Sequence, residues 1–371
     1  MRALGIILAG GKNERLKELT YQRALAAMPV AGSYRAIDFA LSNMANSGVK
    51  KVAVVTQYNS RPIVEHLSSS KWWDFGRKHG GLLVFTPYIT HDNSMWYRGT
   101  ADAIYQNMEY LKNSHEPYAI IAPGDGICKI DFNEVLAYHV DKRADITIVC
   151  KEIFDENLHR FGLVQVDEEG RIIELEEKPI APQGNVISTG IYIIRRRLLI
   201  ELIEEIAKEE RYDFVNDVII RYRKQKKIYA YMHPGYWKSI ASLDSYYHAN
   251  MDFLDKGCRD TFFREEPTIM SKVEDEPPAK FNVGARVRNS LSSSGCIING
   301  EVDHSVLFRK VFVGRNTVVR NSIILNGTYI GDNCTIENCI VDSRSNIPNG
   351  TVHKSEPGNI EVIINREPFY L

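Results

Sequence analysis

LGIILAGGKNERLKELTYQRALAAMPVAGSYRAIDFALSN, residues 4–43, sets the frame for everything that follows it. An apolar run, Leu4 to Leu8, too short to span a membrane, meets Gly10-Gly11 and a basic segment, and a helix-like pattern begins at Leu16. A strand running into such a loop can wrap phosphate. Paired glycines let backbone N–H groups approach an anion, and the positive end of a following helix adds to the attraction. An ordinary βα turn would look the same, because a glycine pair after a strand is a weak motif.

Moving outward, short β-branched runs (Leu4 to Leu8, Val52 to Thr56, Tyr118 to Ala122, Asp145 to Cys150) alternate with helical patterns. Ile37 to Ser47, with Ile37, Leu41 and Met44 on one stripe, fills the first gap, and Ala101 to Leu111 the second. Alternation of this kind implies parallel pairing through right-handed crossovers, hence an α/β, doubly wound sheet. Ligands of such sheets bind beyond the carboxyl ends of the strands, where Gly10-Gly11 and the PGDG turn at 123–126 both fall.

The chain has 371 residues, 44% of them hydrophobic, enough for a sizeable core and two domains. Its 46 basic and 47 acidic residues leave a net charge of −1, which argues against nucleic-acid or membrane-surface binding through bulk charge. Arg195 to Arg197 and the RYRKQKK run at 221–227 therefore read as solvated faces. Six cysteines without C-x-x-C spacing suggest buried, reduced thiols rather than zinc or a disulfide framework. No long apolar run or signal peptide is visible, which gives the expectation of a cytoplasmic protein. His91-Asp92-Asn93 looks like a metal cluster only superficially, since no second set of ligands lies at a sensible spacing.

After about residue 250 the texture changes. Residues 264–280, REEPTIMSKVEDEPPAK, are charged, proline-bearing and aperiodic, and read as a linker or extended wrap. Then Val306, Phe312, Val318, Ile324, Ile330 and Ile336 recur every sixth position, with Gly314 and Gly331 each after an apolar residue. A six-residue repeat of apolar corners is the mark of a parallel β-helix with one continuous core. A β-sandwich would show a period of two instead.

Chemistry can sit in five places. The first is the glycine loop with Arg15. The second is WYRGTADAIYQN, 96–107, a ligand-facing corner or a structural aromatic one. The third is Asp125, whose carboxylate at a strand end suits Mg²⁺ shared with a nucleotide, or an Asx-turn. The fourth is EEKP, 176–179, after the hairpin sequence FGLVQVDEEGRIIEL; its lysine is a point charge for phosphate or simply solvated. The fifth is Tyr236-Trp237-Lys238-Ser239, an aromatic platform for a ligand or for the core.

Taken in order, these stretches closely resemble the bacterial ADP-glucose pyrophosphorylases, or glucose-1-phosphate adenylyltransferases. ILAGG, RL, YRAIDFALSN, TQY at 56–58, WYRGTADA, GD at 124–125, FG at 161–162, EEKP, TGIY at 189–192, DF at 213–214, YW at 236–237 and the hexads carry the likeness over nearly the whole chain. The resemblance implies a nucleotidyltransferase domain of GT-A, Rossmann-like type over 1–250, a linker over 251–282 and a left-handed β-helix over 283–371. It implies attack by a glucose 1-phosphate oxygen on the α-phosphorus of ATP, assisted by Mg²⁺, with release of pyrophosphate.

Carried over position by position, the resemblance is uneven. Gly162, Glu177, Lys178, Ser188, Asp213, Phe214 and Trp237 match residues that hold the sugar phosphate in the family, and Gly10, Gly11, Gln57, Tyr97, Gly99 and Thr100 fall at further substrate positions. Arg15 and Asp125 remain of the catalytic set. The family's G-G-x-G loop has Asn13 at its third glycine, its A-K-P lysine is Leu25, its G-D-H histidine is Gly126, and its Y-W-R-D aspartate is Ser239, which removes a second metal ligand and leaves Asp125 alone. Gln22 replaces the lysine next to the loop that binds activating sugar phosphates in allosteric members. This pattern resembles the D-type subunit of two-gene glycogen systems, a partner of the catalytic C-type subunit in a heterotetramer. It implies little or no turnover, the alternative being an active adenylyltransferase in its own right. The surviving sugar-phosphate residues are then a non-reacting ligand site or relics that still pack.

Overall fold

In the computed structural model, which describes residues 2–76, 80–88, 95–154 and 158–365, the N-terminal apolar run is the central strand of a nine-stranded sheet. That strand, β1 (Ala3–Leu8), pairs in parallel with β2 (Lys51–Val55) and β4 (Tyr118–Pro123), and β2 with β3 (Gly81–Phe85). The β-branched runs fall where their composition places them, and Ile37, Leu41 and Met44 are fully buried on the helix Ala36–Asn46. The chain forms two compact units, one of residues 1–11, 39–60 and 67–237, the other of 12–38, 61–66 and 238–371.

The sheet of the first unit is mixed rather than wholly parallel. β5 (Ile146–Glu152) follows the helix Phe132–Asp141, and the hairpin β6 (Gly162–Val166) and β7 (Ile172–Glu177) turns at Gly170 as the sequence suggests. β8 (Val186–Arg195) then runs antiparallel to both β4 and β5, with Tyr192 opposite Ile121 and Ile148, and β9 (Ile228–Met232) pairs in parallel with β5. A parallel neighbour needs a helical crossover, and no α-helix lies between β5 and β8 among the described residues, so the returning strand is antiparallel. Leu199, Leu202, Ile203 and Ile206, on one stripe of the helix Arg196–Lys208, join the core against this sheet. The cations at 221–227 are mostly exposed, and Arg221 pairs with Glu209.

In the second unit, residues 280–363 form three five-stranded parallel sheets that wrap one core, a parallel β-helix consistent with the left-handed hexapeptide type. Ile297 pairs with Phe312 and Phe312 with Tyr329, so one coil takes fifteen residues and the next seventeen. The inward residues are Val302, Leu307, Val313, Val319, Ile324, Ile330, Ile336 and Val341, all fully buried, and their spacing runs five, six, six. This corrects the strict period of six. Ile324, Ile330 and Ile336 do face inward, but Phe312 and Val318 are half-buried on the outside, and Phe312 stacks on Tyr329 with centroids 4.7 Å apart. One short side per coil shifts the phase by one residue, and a shift of one moves a strand residue to the other face.

Before the coils, Lys256–Phe263 is an α-helix capped by Asp255, and 264–279 carries neither helix nor strand, so the irregular part of 251–282 starts only after the helix. All six cysteines are free and five are buried. Among the described residues no helix is long and apolar enough to cross a membrane.

The stacking is tight at Gly314, where a Cβ would stand 2.4 Å from both the carbonyl carbon and oxygen of Gly331. Backbone in the next coil cannot yield as a side chain would. Gly314→Ala is expected to cost roughly 1–3 kcal/mol, seen as a lower urea midpoint. Gly11→Ala, which meets nothing within 4 Å, should leave that midpoint unchanged.

Candidate functional site

At the carboxyl ends of β1, β2 and β4 the loops are tied to one another by backbone. Ala9 N donates to Val55 O (2.8 Å), Thr56 Oγ1 to Ala9 O (3.2 Å) and Gly124 N to Leu8 O (3.0 Å). Gly10 lies so close to the β2 loop that a Cβ would sit 3.2 Å from Gln57 N, whereas the space beside Gly11 is open. The Gln57 side chain pairs with the Tyr97 backbone in both directions, Tyr97 N to Oε1 (3.0 Å) and Nε2 to Tyr97 O (3.2 Å). Gly10, Gln57, Tyr97 and the turn bearing Asp125 thus converge at one edge of the sheet, where an open parallel core binds ligands.

The loop beyond Gly11 departs from expectation. No α-helix starts at Leu16; the chain makes only the 3₁₀ turns Lys17–Thr20 and Leu25–Ala27, and the first α-helix begins at Ala36. Thr20 Oγ1 donates to the carbonyls of Asn13 and Lys17, and Lys17 itself is left-handed with φ 50°, both of which compete with a helix. Helix polarity therefore adds nothing for an anion here. The Asn13 side chain holds the loop in shape, with Oδ1 accepting from Arg15 N (2.9 Å) and Leu16 N (3.1 Å) while Nδ2 donates to Ala241 O (3.0 Å). Arg15 is exposed and Leu25 half-buried.

A second face forms where the helix Thr100–Gln106 meets residues 212–214. A Cβ on Gly99 would lie 2.3 Å from Tyr212 O, so only glycine lets that carbonyl accept from Ala101 N (2.8 Å). Thr100 Oγ1 accepts from Phe214 N (3.0 Å), and Asp213 Oδ1 from Asn216 N (2.7 Å). Arg98 of the WYRG stretch is committed to structure. It donates to buried Asp102 (2.8 Å) and to Tyr212 Oη (2.7 Å), and lies 3.8 Å over the Tyr212 ring.

On the hairpin, Gly162 lies opposite Glu177, and a Cβ there would come within 2.9 Å of Glu177 Oε2. Glu177 Oε1 pairs with Lys178 Nζ at 3.0 Å, and Lys178 N donates to Phe161 O (3.1 Å) from a left-handed backbone, φ 52°. The centre of this face is Tyr192, which its sequence context placed in a motif but not in the site. Burial pushes its phenol up, a hydrogen bond with Ser188 opposes this, and the charges of Glu177 and Asp213 push it further. Its ring meets Phe214 edge-on at 5.2 Å. Ser188, Glu177, Asp213 and Phe214 are thereby gathered round one buried tyrosine. Trp237 meets Phe161 edge-on at 5.6 Å, and its buried Nε1 has no hydrogen-bond acceptor among the described residues.

The donors for Mg²⁺ are sparse. No group of three His, Cys, Asp or Glu residues able to hold a metal occurs among the described residues. Asp125 offers one carboxylate, and Ser239, which the resemblance places where a second is expected, is neutral and accepts from Ala241 N (3.3 Å). A magnesium ion held by two protein carboxylates does not fit this donor set. His91-Asp92-Asn93 lies outside the described residues.

Residues 4–256 match the nucleotidyl transferase family and 277–356 the GlmU-like, C-terminal hexapeptide family. A glucose-1-phosphate adenylyltransferase of Bacillus subtilis (strain 168) is 40% identical over 99% of this chain and 98% of its own length. One of Bacillus cereus (strain Q1) is 39% identical over the same shares. The chain belongs to the glucose-1-phosphate adenylyltransferase family. A further relative so named, from Thermosipho melanesiensis, is 39% identical over 85% of this chain and 77% of its own. Within this family fold, the residues expected at the sugar phosphate are brought together in the first unit, while Asn13, Leu25 and Ser239 belong to the second.

Proposed function

We propose that this chain is a subunit of a glucose-1-phosphate adenylyltransferase that supplies ADP-glucose for glycogen synthesis, with little turnover of its own, and that it regulates a catalytic C-type subunit in a cytoplasmic heterotetramer. One observation carries the reading. The sugar-phosphate face keeps Glu177, Ser188 and Asp213 near Tyr192, with Gly162 opposite Glu177 and Lys178 paired to it, whereas the charged groups expected to act on the triphosphate are replaced by Leu25 and Ser239. Loss of one such group costs on the order of 10²- to 10³-fold in rate, and loss of several leaves little. Lys178 is exposed and Glu177, Ser188 and Asp213 are half-buried, so these polar groups stay open to a ligand rather than sealed in the core. The face therefore serves to bind glucose 1-phosphate, or a related sugar phosphate, without reaction, and to report it to the partner through a reciprocal coupling energy.

The second reading, an enzyme active alone, draws on Asp125 at its strand end and on full-length similarity to proteins named as enzymes. Pyrophosphate release measured with and without the C-type subunit separates the two. Regulation is expected to give almost no signal alone and a changed rate or effector response in the mixture. Turnover alone that Asp125→Ala abolishes would establish the second reading. Calorimetry should in addition show glucose 1-phosphate binding that Lys178→Ala weakens at least tenfold, since Lys178 Nζ is the cation of that face. Binding unchanged by that substitution would leave the face as a packing relic.

A further inference from the structure

The turn that delivers Trp237 is held by a cation. Lys151, on β5, directs its ammonium to the carbonyl oxygens of His233 (3.3 Å), Pro234 (3.2 Å) and Gly235 (2.8 Å). An ammonium has three donors, and all three are spent on this one turn. Pairing of β9 with β5 ends at Met232 opposite Cys150, and His233 N still donates to Cys150 O (2.8 Å). Beyond it the chain leaves the ladder in the sequence His233-Pro234-Gly235-Tyr236, and three carbonyl oxygens gathered about one point would repel one another without a cation between them.

What the turn presents is specific. The Trp237 ring stands edge-on to Phe161, whose carbonyl accepts from Lys178 N, so its placement is linked to the Glu177–Lys178 corner. Its buried Nε1–H has no acceptor among the described residues and lies 3.7 Å from where a Cβ of residue 126 would be, a position kept bare by Gly126. A buried donor of this kind is stabilised only by an oxygen brought from outside, and an indole N–H accepts no substitute geometry because it is a single fixed donor. Small changes in the angle of the turn would then be felt as affinity.

We propose that Lys151 is a positioning residue of the sugar-phosphate face: by gathering the carbonyls of residues 233–235 it sets the angle at which Trp237 offers its indole N–H to a ligand oxygen beside Gly126. The proposal rests on the sugar-phosphate reading for the identity of that ligand and stands on geometry for the rest.

The test uses the full chain labelled with 5-fluorotryptophan, whose four resonances belong to Trp72, Trp73, Trp96 and Trp237. In Lys151→Met the Trp237 resonance, assigned with Trp237→Phe, should shift or broaden while the other three stay. Glucose 1-phosphate should bind about tenfold more weakly by calorimetry, Lys151→Arg should recover most of that loss, and in the Trp237→Phe background the Lys151 substitution should have almost no further effect. A Trp237 resonance unmoved by Lys151→Met overturns the proposal, and so do four resonances that move together, since Lys151 would then support the domain at large. A Trp237 resonance that moves while neither wild type nor variant binds glucose 1-phosphate upholds the positioning and defeats the sugar-phosphate reading instead.

Discussion

Turnover of the isolated chain is expected to rise by roughly 10²-fold or more when Ser239→Asp and Leu25→Lys are combined, read as pyrophosphate release from ATP and glucose 1-phosphate in magnesium buffer. The two positions carry neutral residues where the family resemblance calls for a carboxylate and a cation. Both sites are expected to tolerate the change. Ser239 Oγ already accepts from Ala241 N, a bond that an aspartate oxygen two residues away makes equally well, and half-buried Leu25 sits in a 3₁₀ turn from which a lysine stem can reach solvent. Each single variant should give less than its share, because groups that act on one transferring phosphoryl are not additive. Asn13 is best left alone, since its side chain holds the loop in three hydrogen bonds. A rise below threefold in the double variant would show that these two positions are not what silences the chain.

Arg23→Ala is expected to destabilise the second unit by about 3–5 kcal/mol. Arg23 Nη2 meets Asp342 Oδ1 at 2.8 Å and Nη1 meets Ser343 Oγ at 3.3 Å, with the aspartate side chain fully buried and the arginine 12% exposed. The pair joins the segment after the glycine loop to the last coils of the β-helix, which belong to the same unit. Tyr246 Oη donating to Pro29 O (2.7 Å) and Tyr247 Oη to Asn321 O (2.8 Å) tie the helix Leu243–Asp252 into the same arrangement. The cost arises from weakening the pairing of a fully buried carboxylate rather than from the worth of the pair itself. Hence Arg23→Ala with Asp342→Ala should lose less than Arg23→Ala alone. Equal urea midpoints for the single and double variants would contradict this account.

Features set by local periodicity were legible in the sequence. β1, β2, β4 and β5 fall within two residues of the apolar runs that mark them, and the hexad pattern disclosed the coil stack. Features set by distant partners were not. Nothing within Val186–Arg195 says that it will slot antiparallel between β4 and β5. Leu16 and Leu19 have helical spacing, yet the Thr20 hydroxyl and the left-handed Lys17 end the helix before it starts. In the site, glycines at Gly10, Gly99 and Gly162 were visible as residues, and only the structure shows the backbone or carboxylate that each must admit. Tyr192 was hidden inside TGIY because its importance lies in what converges on it. Lys151 carried no signal at all, being one lysine near the end of a strand.

The short side of each coil makes the stack self-indexing. With three equal sides, a nascent coil could rotate by one side, or slip by one residue, and still find apolar corners beneath it; the five, six, six spacing from Val302 to Val341 denies that freedom, because a slipped coil turns at least one corner outward. A misaligned coil is thus penalised by its own neighbours in the stack. The same rule bears on how such a domain can change length over evolutionary time: the fifteen-residue coil from Ile297 to Phe312 keeps its neighbours in register, so a change confined to one turn is absorbed there, and gain or loss of one entire seventeen-residue coil, such as that from Phe312 to Tyr329, leaves every corner in place.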